Sequence, residues 1–284
     1  MKGFINIIKP QGVSSAYCVS VLKRKTLTPC GHLGTLDPMA AGVLPVGIGK
    51  ASRLFPYTLN KEKEYAAEFT FGFTTDTLDI TGKTLAASDV IPEKKAVKSA
   101  LSFFTGEIEQ VPPKYSAKCV GGKRGYALAR AGVEFELAPK KVMVSEFSLI
   151  RQTGEKSFLF KIRCGGGTYI RALARDLGEK LGALCVMSSL DRVKSGVFDY
   201  GNGVPLEKIK TATAEELEKY LIPADSVINF EKLRLNHYQS ERLINGVYEN
   251  YGFNDGIYRV YAEDEFWGVG EVKDGILKMK SYVR

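Results

Sequence analysis

The chain has 284 residues, 44% of them hydrophobic, enough for one large domain or a large and a small one around a sizeable core. It carries 40 Lys and Arg against 32 Asp and Glu, a formal charge of +8, with two histidines and five cysteines that form no C-x-x-C pair. These counts argue against a His-rich metal site and a disulfide framework, and no apolar segment is long enough to span a bilayer, which leads to the expectation of a cytoplasmic protein with reduced thiols and no membrane partner. The charge is uneven: residues 231–284 hold eight Lys and Arg against nine Asp and Glu, so the whole basic surplus lies in residues 1–230. A polyanion such as nucleic acid is the natural partner for that larger part.

In chain order, Phe4-Ile5-Asn6-Ile7-Ile8-Lys9 predicts a short buried strand that Pro10-Gln11-Gly12 stops. Ser14 or Ser15 then caps a helix whose apolar residues Cys18, Val19 and Leu22 recur at helical spacing. Tyr65 to Phe71 alternates and ends at Gly72, as a half-buried strand does. Pro92-Glu93 opens a helix running to about Phe104, with Gly106 beyond it. Lys141 to Ile150 and Phe158 to Cys164 read as a hairpin around Thr153-Gly154-Glu155. Gly165-Gly166-Gly167 ends it, a helix follows from about Tyr169 to Leu181, and Gly and Pro at 201–205 mark a loop. From about Asn229 the chain turns to short strands with turn signals at Asn245-Gly246, Asp255-Gly256 and Asp274-Gly275. Residues 231–284 are thus expected to form a small β unit beside a domain of residues 1–230.

The strongest chemical signal is Gly31-His32-Leu33-Gly34-Thr35-Leu36-Asp37-Pro38, running on to Val46. Asp37 is the one charged residue between His32 and Lys50 and sits among Leu36, Pro38, Met39 and Val43. On the residues alone two readings stand: a turn residue, because Asp before Pro opens turns, and a desolvated carboxylate suited to act as nucleophile or base. The run resembles the Gly-His-x-Gly-Thr-Leu-Asp-Pro signature of the TruB family of pseudouridine synthases at every position from Gly31 to Pro38. The match continues through Ala40, Gly42, Leu44, Val46, Gly49 and Ala51. The resemblance makes Asp37 the catalytic aspartate. It gives His32 the place of a histidine that fills the space left by a flipped nucleotide.

Three further segments are similar to the family's pattern. Lys9-Pro10-Gln11-Gly12-Val13-Ser14-Ser15 matches its Lys-Pro-x-Gly-x-[Ser/Thr]-Ser element, a strand-turn-helix start that speaks first for the fold, with Lys9 counted among the substrate contacts. Glu64-Tyr65 and the run Thr75 to Gly82 follow. By resemblance Tyr65 stacks on the target base, a contact worth about 1–3 kcal/mol, and Asp79 pairs with a catalytic-site arginine. On the residues alone Tyr65 is a core tyrosine of an alternating strand and Thr75 to Gly82 an acidic turn. Gly166-Gly167-Thr168-Tyr169-Ile170-Arg171 matches Gly-x-Tyr-[Ile/Val]-Arg. It places Tyr169 against the base and makes Arg171 the cation that keeps the Asp37 carboxylate charged.

Pro112 to Arg130 carries Lys114, Lys118, Lys123, Arg124 and Arg130, interleaves Tyr115 and Tyr126, and has no acidic residue. Such a segment suits contacts to nucleic-acid phosphates, here from Lys118, Lys123, Arg124 and Arg130. It follows the family's Pro-Pro-x-Tyr-Ser-Ala pattern, with Cys119 where a lysine is usual. Other departures are Val186 for a histidine, Asp191 for an arginine and Arg53 for a lysine, while Leu190 fits the apolar residue that lines the base pocket.

The resemblance implies an α+β fold, a pseudouridine-synthase-like mixed, largely antiparallel sheet flanked by helices, with a small PUA-like β domain at the C-terminus. It implies isomerisation of uridine to pseudouridine at position 55 in the T-loop of tRNA, by a monomer that binds the T-arm stem-loop without a guide RNA. No cofactor or metal is expected; Gly47-Ile48-Gly49-Lys50 lacks phosphate-loop spacing because Leu44 stands at the first glycine's place. The alternatives are a tRNA-folding chaperone without catalysis, which leaves the set Asp37, Tyr65, Tyr169 and Arg171 unused, and a guide-dependent synthase, which calls for partner-binding extensions.

Overall fold

The computed structural model describes residues 2–58, 61–116 and 118–284, and for Cys119, Val120, Lys123 and Arg124 the backbone alone. Two compact units are each assembled from separated stretches of chain. One comprises Met1–Pro38, Gly42–Asn60 and Ser195–Arg284, the other Met39–Ala41 and Lys61–Lys194.

In the first unit the strand Gly3–Lys9 pairs antiparallel with Ala41–Ile48 and parallel with Gly203–Pro205. Cys30–His32 pairs antiparallel with the end of Ala41–Ile48. The helix Ser15–Thr26 starts where its cap predicts, with the Ser14 hydroxyl accepting from the Tyr17 N–H, and it buries Cys18, Val21 and Leu22. Neither Ala41–Ile48 nor Gly203–Pro205 is legible from propensity, since both contain Gly and Pro. Close packing decides instead: a Cβ at Gly47 would lie 2.8 Å from the backbone of Ser52.

The C-terminal residues form a separate four-stranded sheet in the order Glu231–Leu235, Gly256–Ala262, Glu265–Lys273 and Ile276–Tyr282. The first pair is parallel and the others antiparallel. Leu233, Leu235, Leu243, Val260, Trp267, Val272 and Leu277 give it a core of its own. Within the same unit, Val269 and Val283 of this C-terminal region pack in a second cluster with Phe4, Val43, Leu54 and Phe198. Asp274-Gly275 is the hairpin turn its sequence predicts, with φ positive at both residues. Asn245-Gly246 is not a strand turn but the end of a helix, His237–Ile244, which a reciprocal Asn236 and Gln239 capping pair starts. Gly246, at φ +73°, follows its last turn, and an Asn-Gly pair serves either purpose equally well.

The second unit is a sheet in the order Cys185–Ser195, Lys63–Phe71, Ser157–Cys164, Lys140–Gln152 and Gly106–Gln110. The last four are successively antiparallel. Alternation along Lys63–Phe71 sends Tyr65, Ala67, Phe69 and Phe71 inward. Phe69, Phe147 and Phe160 meet there, with the Phe69 and Phe160 rings 4.9 Å apart. The helix expected to run to about Phe104 is α-helical over Lys94–Ala100 and tightens to a 3₁₀ turn at Leu101–Phe104. The helix Ile170–Lys180 is buried on all sides over Ile170–Ala174, and beyond that at Leu177 and Gly178. Gln110 pairs with Lys140, so residues 111–139, which include the basic tract, are one excursion from the end of a strand pair.

Phe160 touches both other rings of its cluster and is fully buried. Phe160→Ala is expected to lower stability by about 3–5 kcal/mol, read from urea unfolding midpoints at unchanged m-value.

Candidate active site

Residues 33–40 join the strand that carries His32 to Ala41–Ile48, and Asp37 lies half-buried within them. This loop has no regular ladder to satisfy its peptides. The Lys-Pro-x-Gly-x-Ser-Ser segment supplies the partners. The Ser15 hydroxyl donates to the Leu36 carbonyl at 2.9 Å and accepts the Leu36 N–H at 2.8 Å. The Gly12 N–H donates to the Pro38 carbonyl at 2.8 Å. Lys9, expected among the substrate contacts, is enclosed in the fold, and its ammonium donates to the carbonyls of Pro10, Val13 and Pro38 at 2.9, 2.8 and 3.2 Å. The residues on both sides of Asp37 are thereby pinned to one strand end and one helix start.

In the second unit, Arg171 occupies the first turn of Ile170–Lys180 and is buried. Its guanidinium donates to the Thr77 carbonyl at 2.8 Å and the Tyr115 carbonyl at 2.9 Å. Asp79, expected to pair with this arginine, stands 3.8 Å away through Oδ2. Its shorter bonds are local: Oδ1 accepts from the Thr77 hydroxyl at 2.9 Å, the Thr81 N–H at 3.0 Å and the Thr81 hydroxyl at 2.6 Å. Asp79 therefore shapes the loop that offers the Thr77 carbonyl as well as contributing charge. The loop is tight, with Leu78 at φ +62° and a Cβ at Gly82 placed 2.3 Å from the Thr77 hydroxyl.

Tyr65 faces inward on Lys63–Phe71, Leu190 is buried on Cys185–Ser195, and Tyr169 sits half-buried at the start of the Arg171 helix. In the basic excursion Cys119–Val120 pairs with Lys123–Arg124 across Gly121-Gly122, and the helix Gly125–Arg130 follows. Lys118 donates to the Ala138 carbonyl at 3.5 Å, and the exposed Arg130 lies over the Tyr126 ring. The side chains of Lys123 and Arg124 lie outside the described residues. Among the described residues no His, Cys, Asp and Glu cluster could hold a metal, and no helix is long and apolar enough to cross a membrane. Ser15 and the backbone acceptors of Arg171 escape sequence reasoning. Ser15 stands in a recognisable motif, but nothing in the sequence tells which peptides it binds.

Ser15→Ala leaves a buried N–H and C=O at Leu36 without their partner. A stability loss of about 1–3 kcal/mol is expected in chemical denaturation. Lys63 gives a pH test: burial first, and the charge of Arg192 second, bring its ammonium down to about 8. Between that value and the ordinary lysine range the unfolded chain binds the extra proton, so this group's contribution rises with pH across the window and is least favourable below it. Lys63→Met is expected to raise the melting temperature at pH 7, with the gain shrinking towards pH 10; a gain independent of pH would contradict it.

Residues 23–170 match the model of the TruB family pseudouridylate synthase N-terminal domain, and residues 171–229 that of the tRNA pseudouridylate synthase B C-terminal domain. The chain is 38% identical to tRNA pseudouridine synthase B of Clostridium tetani, covering 100% of both chains. It is 35% identical to the enzyme of that name from Aquifex aeolicus, covering 99% of each. Among solved structures, the archaeal box H/ACA sRNP Nop10–Cbf5 complex contains a chain with a TM-score of 0.69 at 21% identity, over 100% of this chain and 86% of that one, a likeness of fold. A domain model spanning more than half the chain and full-length identity to such relatives agree: the chain belongs to the TruB family of pseudouridylate synthases.

Proposed function

We propose that this chain isomerises uridine to pseudouridine in tRNA, at position 55 of the T-loop, with Asp37 as the reacting carboxylate. The observation that carries the reading is the loop of Asp37, complete in the family's signature from Gly31 to Pro38 and pinned on both sides of the carboxylate by Lys9, Gly12 and Ser15. Full-length relatives at 35–39% identity bear the name tRNA pseudouridine synthase B. The reaction breaks the N1–C1′ bond, turns the uracil and joins C5 to C1′. C5 loses a proton and N1 gains one, so no redox partner or group donor enters.

In this reading the uridine leaves the stack at a cost of a few kcal/mol. Tyr65 and Tyr169 hold its base, Leu190 supplies an apolar wall, Arg171 supports the charge of Asp37 and His32 fills the vacated stack. The basic tract from Lys118 to Arg130 follows the T-arm backbone, which makes affinity salt-dependent. The C-terminal sheet from residue 231, slightly acidic, adds a modest share of RNA contact. The chain acts as a monomer on naked tRNA, without a guide.

Asp37→Asn, which keeps size and polarity, is expected to bind a T-arm stem-loop within about threefold of the unmodified chain and to form no pseudouridine, assayed by nucleoside analysis after single turnover. An active variant would remove Asp37 from the mechanism. Binding without conversion by the unmodified chain would instead support the chaperone reading.

A further inference from the structure

Gln110 is the last residue of Gly106–Gln110 and is buried. Its side-chain amide meets the backbone of Tyr169 twice: the Nε2 donates to the Tyr169 carbonyl at 3.1 Å, and Oε1 accepts the Tyr169 N–H at 2.8 Å. Tyr169 is the residue before the Arg171 helix and provides no side-chain cap. The Gln110 amide thus acts as a one-residue strand partner, fixing the peptides on both sides of the Tyr169 Cα. Two more ties run between the same helix and the same segment. Arg171 donates to the Tyr115 carbonyl at 2.9 Å and Arg175 to the Val111 carbonyl at 3.0 Å. Arg171 and Arg175 are one helical turn apart and point the same way. Between the acceptors stand Pro112 and Pro113, both buried, whose rings fix φ and remove two backbone donors. Residues 110–115 are a stiff strap, and the basic excursion begins in them.

We propose that this strap sets the position of Tyr169 and Arg171, with Gln110 as a positioning residue for the reaction. The inference rests on the functional reading above. Gln110 touches no reacting atom. It fixes the backbone from which Tyr169 projects, while the strap's carbonyls aim the guanidinium two residues on. Releasing the Tyr169 peptides allows displacements of the order of an ångström, enough to cost about a hundredfold in rate where geometry is exacting.

The test is single-turnover conversion of a T-arm stem-loop, with the dissociation constant measured separately. Gln110→Ala is expected to slow conversion by about tenfold to a hundredfold while the dissociation constant moves less than about threefold. Gln110→Glu provides a second readout. A charged carboxylate accepts the Tyr169 N–H but repels its carbonyl, whereas the neutral acid restores one donor and one acceptor. Its rate relative to the unmodified chain is therefore expected to rise as pH falls from 8 to 5.5. That ratio decides the matter if Gln110→Ala fails to fold. A Gln110→Ala rate within twofold of the unmodified chain, a loss confined to binding, or a pH-independent Gln110→Glu ratio would overturn the proposal. A correctly folded unmodified chain that makes no pseudouridine would overturn the functional reading and this inference together; an active one with an equally active Gln110→Ala would overturn this inference alone.

Discussion

A lysine ammonium wholly enclosed in protein must find acceptors for its three donors, and much of the first unit follows from how Lys9 meets that demand. Its acceptors are the carbonyls of Pro10, Val13 and Pro38. Leaving any of them would strand a charge in a desolvated place, so the strand Gly3–Lys9, the turn after it and the loop of Asp37 behave as one piece. Ser15 adds the contact on the other side, at Leu36. The same device recurs in the second unit, where Arg171 gathers the carbonyls of Thr77 and Tyr115. In each case a cation organises irregular backbone that no sheet or helix ladder could hold. Segments of free loop become parts with fixed positions, as a site needing oriented groups requires.

What could be read from the sequence followed from how local the determining forces are. Gly3–Lys9, the Ser14-capped helix, the strand with Tyr65 and the hairpin of Lys140–Gln152 with Ser157–Cys164 all carry their period and punctuation within a few residues. Ala41–Ile48 does not: Gly42, Pro45 and Gly47 speak against a strand, and pairing with Gly3–Lys9 and Cys30–His32 makes it one. His237–Ile244 was hidden because its terminal Asn-Gly reads equally as a hairpin turn. The turn at Glu263-Asp264 has positive φ at two non-glycine residues, a choice no local propensity announces.

The candidate residues divide in the same manner. Asp37, Tyr65, Tyr169 and Arg171 stand in segments whose residue pattern is distinctive, so their places could be named in advance. Their supports could not. The part played by Lys9 depends on a carbonyl 29 positions away, and the hold on Tyr169 comes from Gln110, 59 positions away. Among the departures from the family's pattern, Val186 is fully buried on its strand, where an apolar residue packs without needing a hydrogen-bond partner. Arg53 is exposed, and its backbone carbonyl accepts from Ser281 of the C-terminal sheet.

Conversion of uridine to pseudouridine by this chain is reported directly by the C5 hydrogen, because C5 exchanges its hydrogen for C1′ in that conversion alone. A T-arm stem-loop labelled with tritium at C5 of the target uridine, incubated with the chain and no other protein or RNA, is predicted to release one tritium to water per stem-loop. A stem-loop that binds and keeps its tritium would contradict the account.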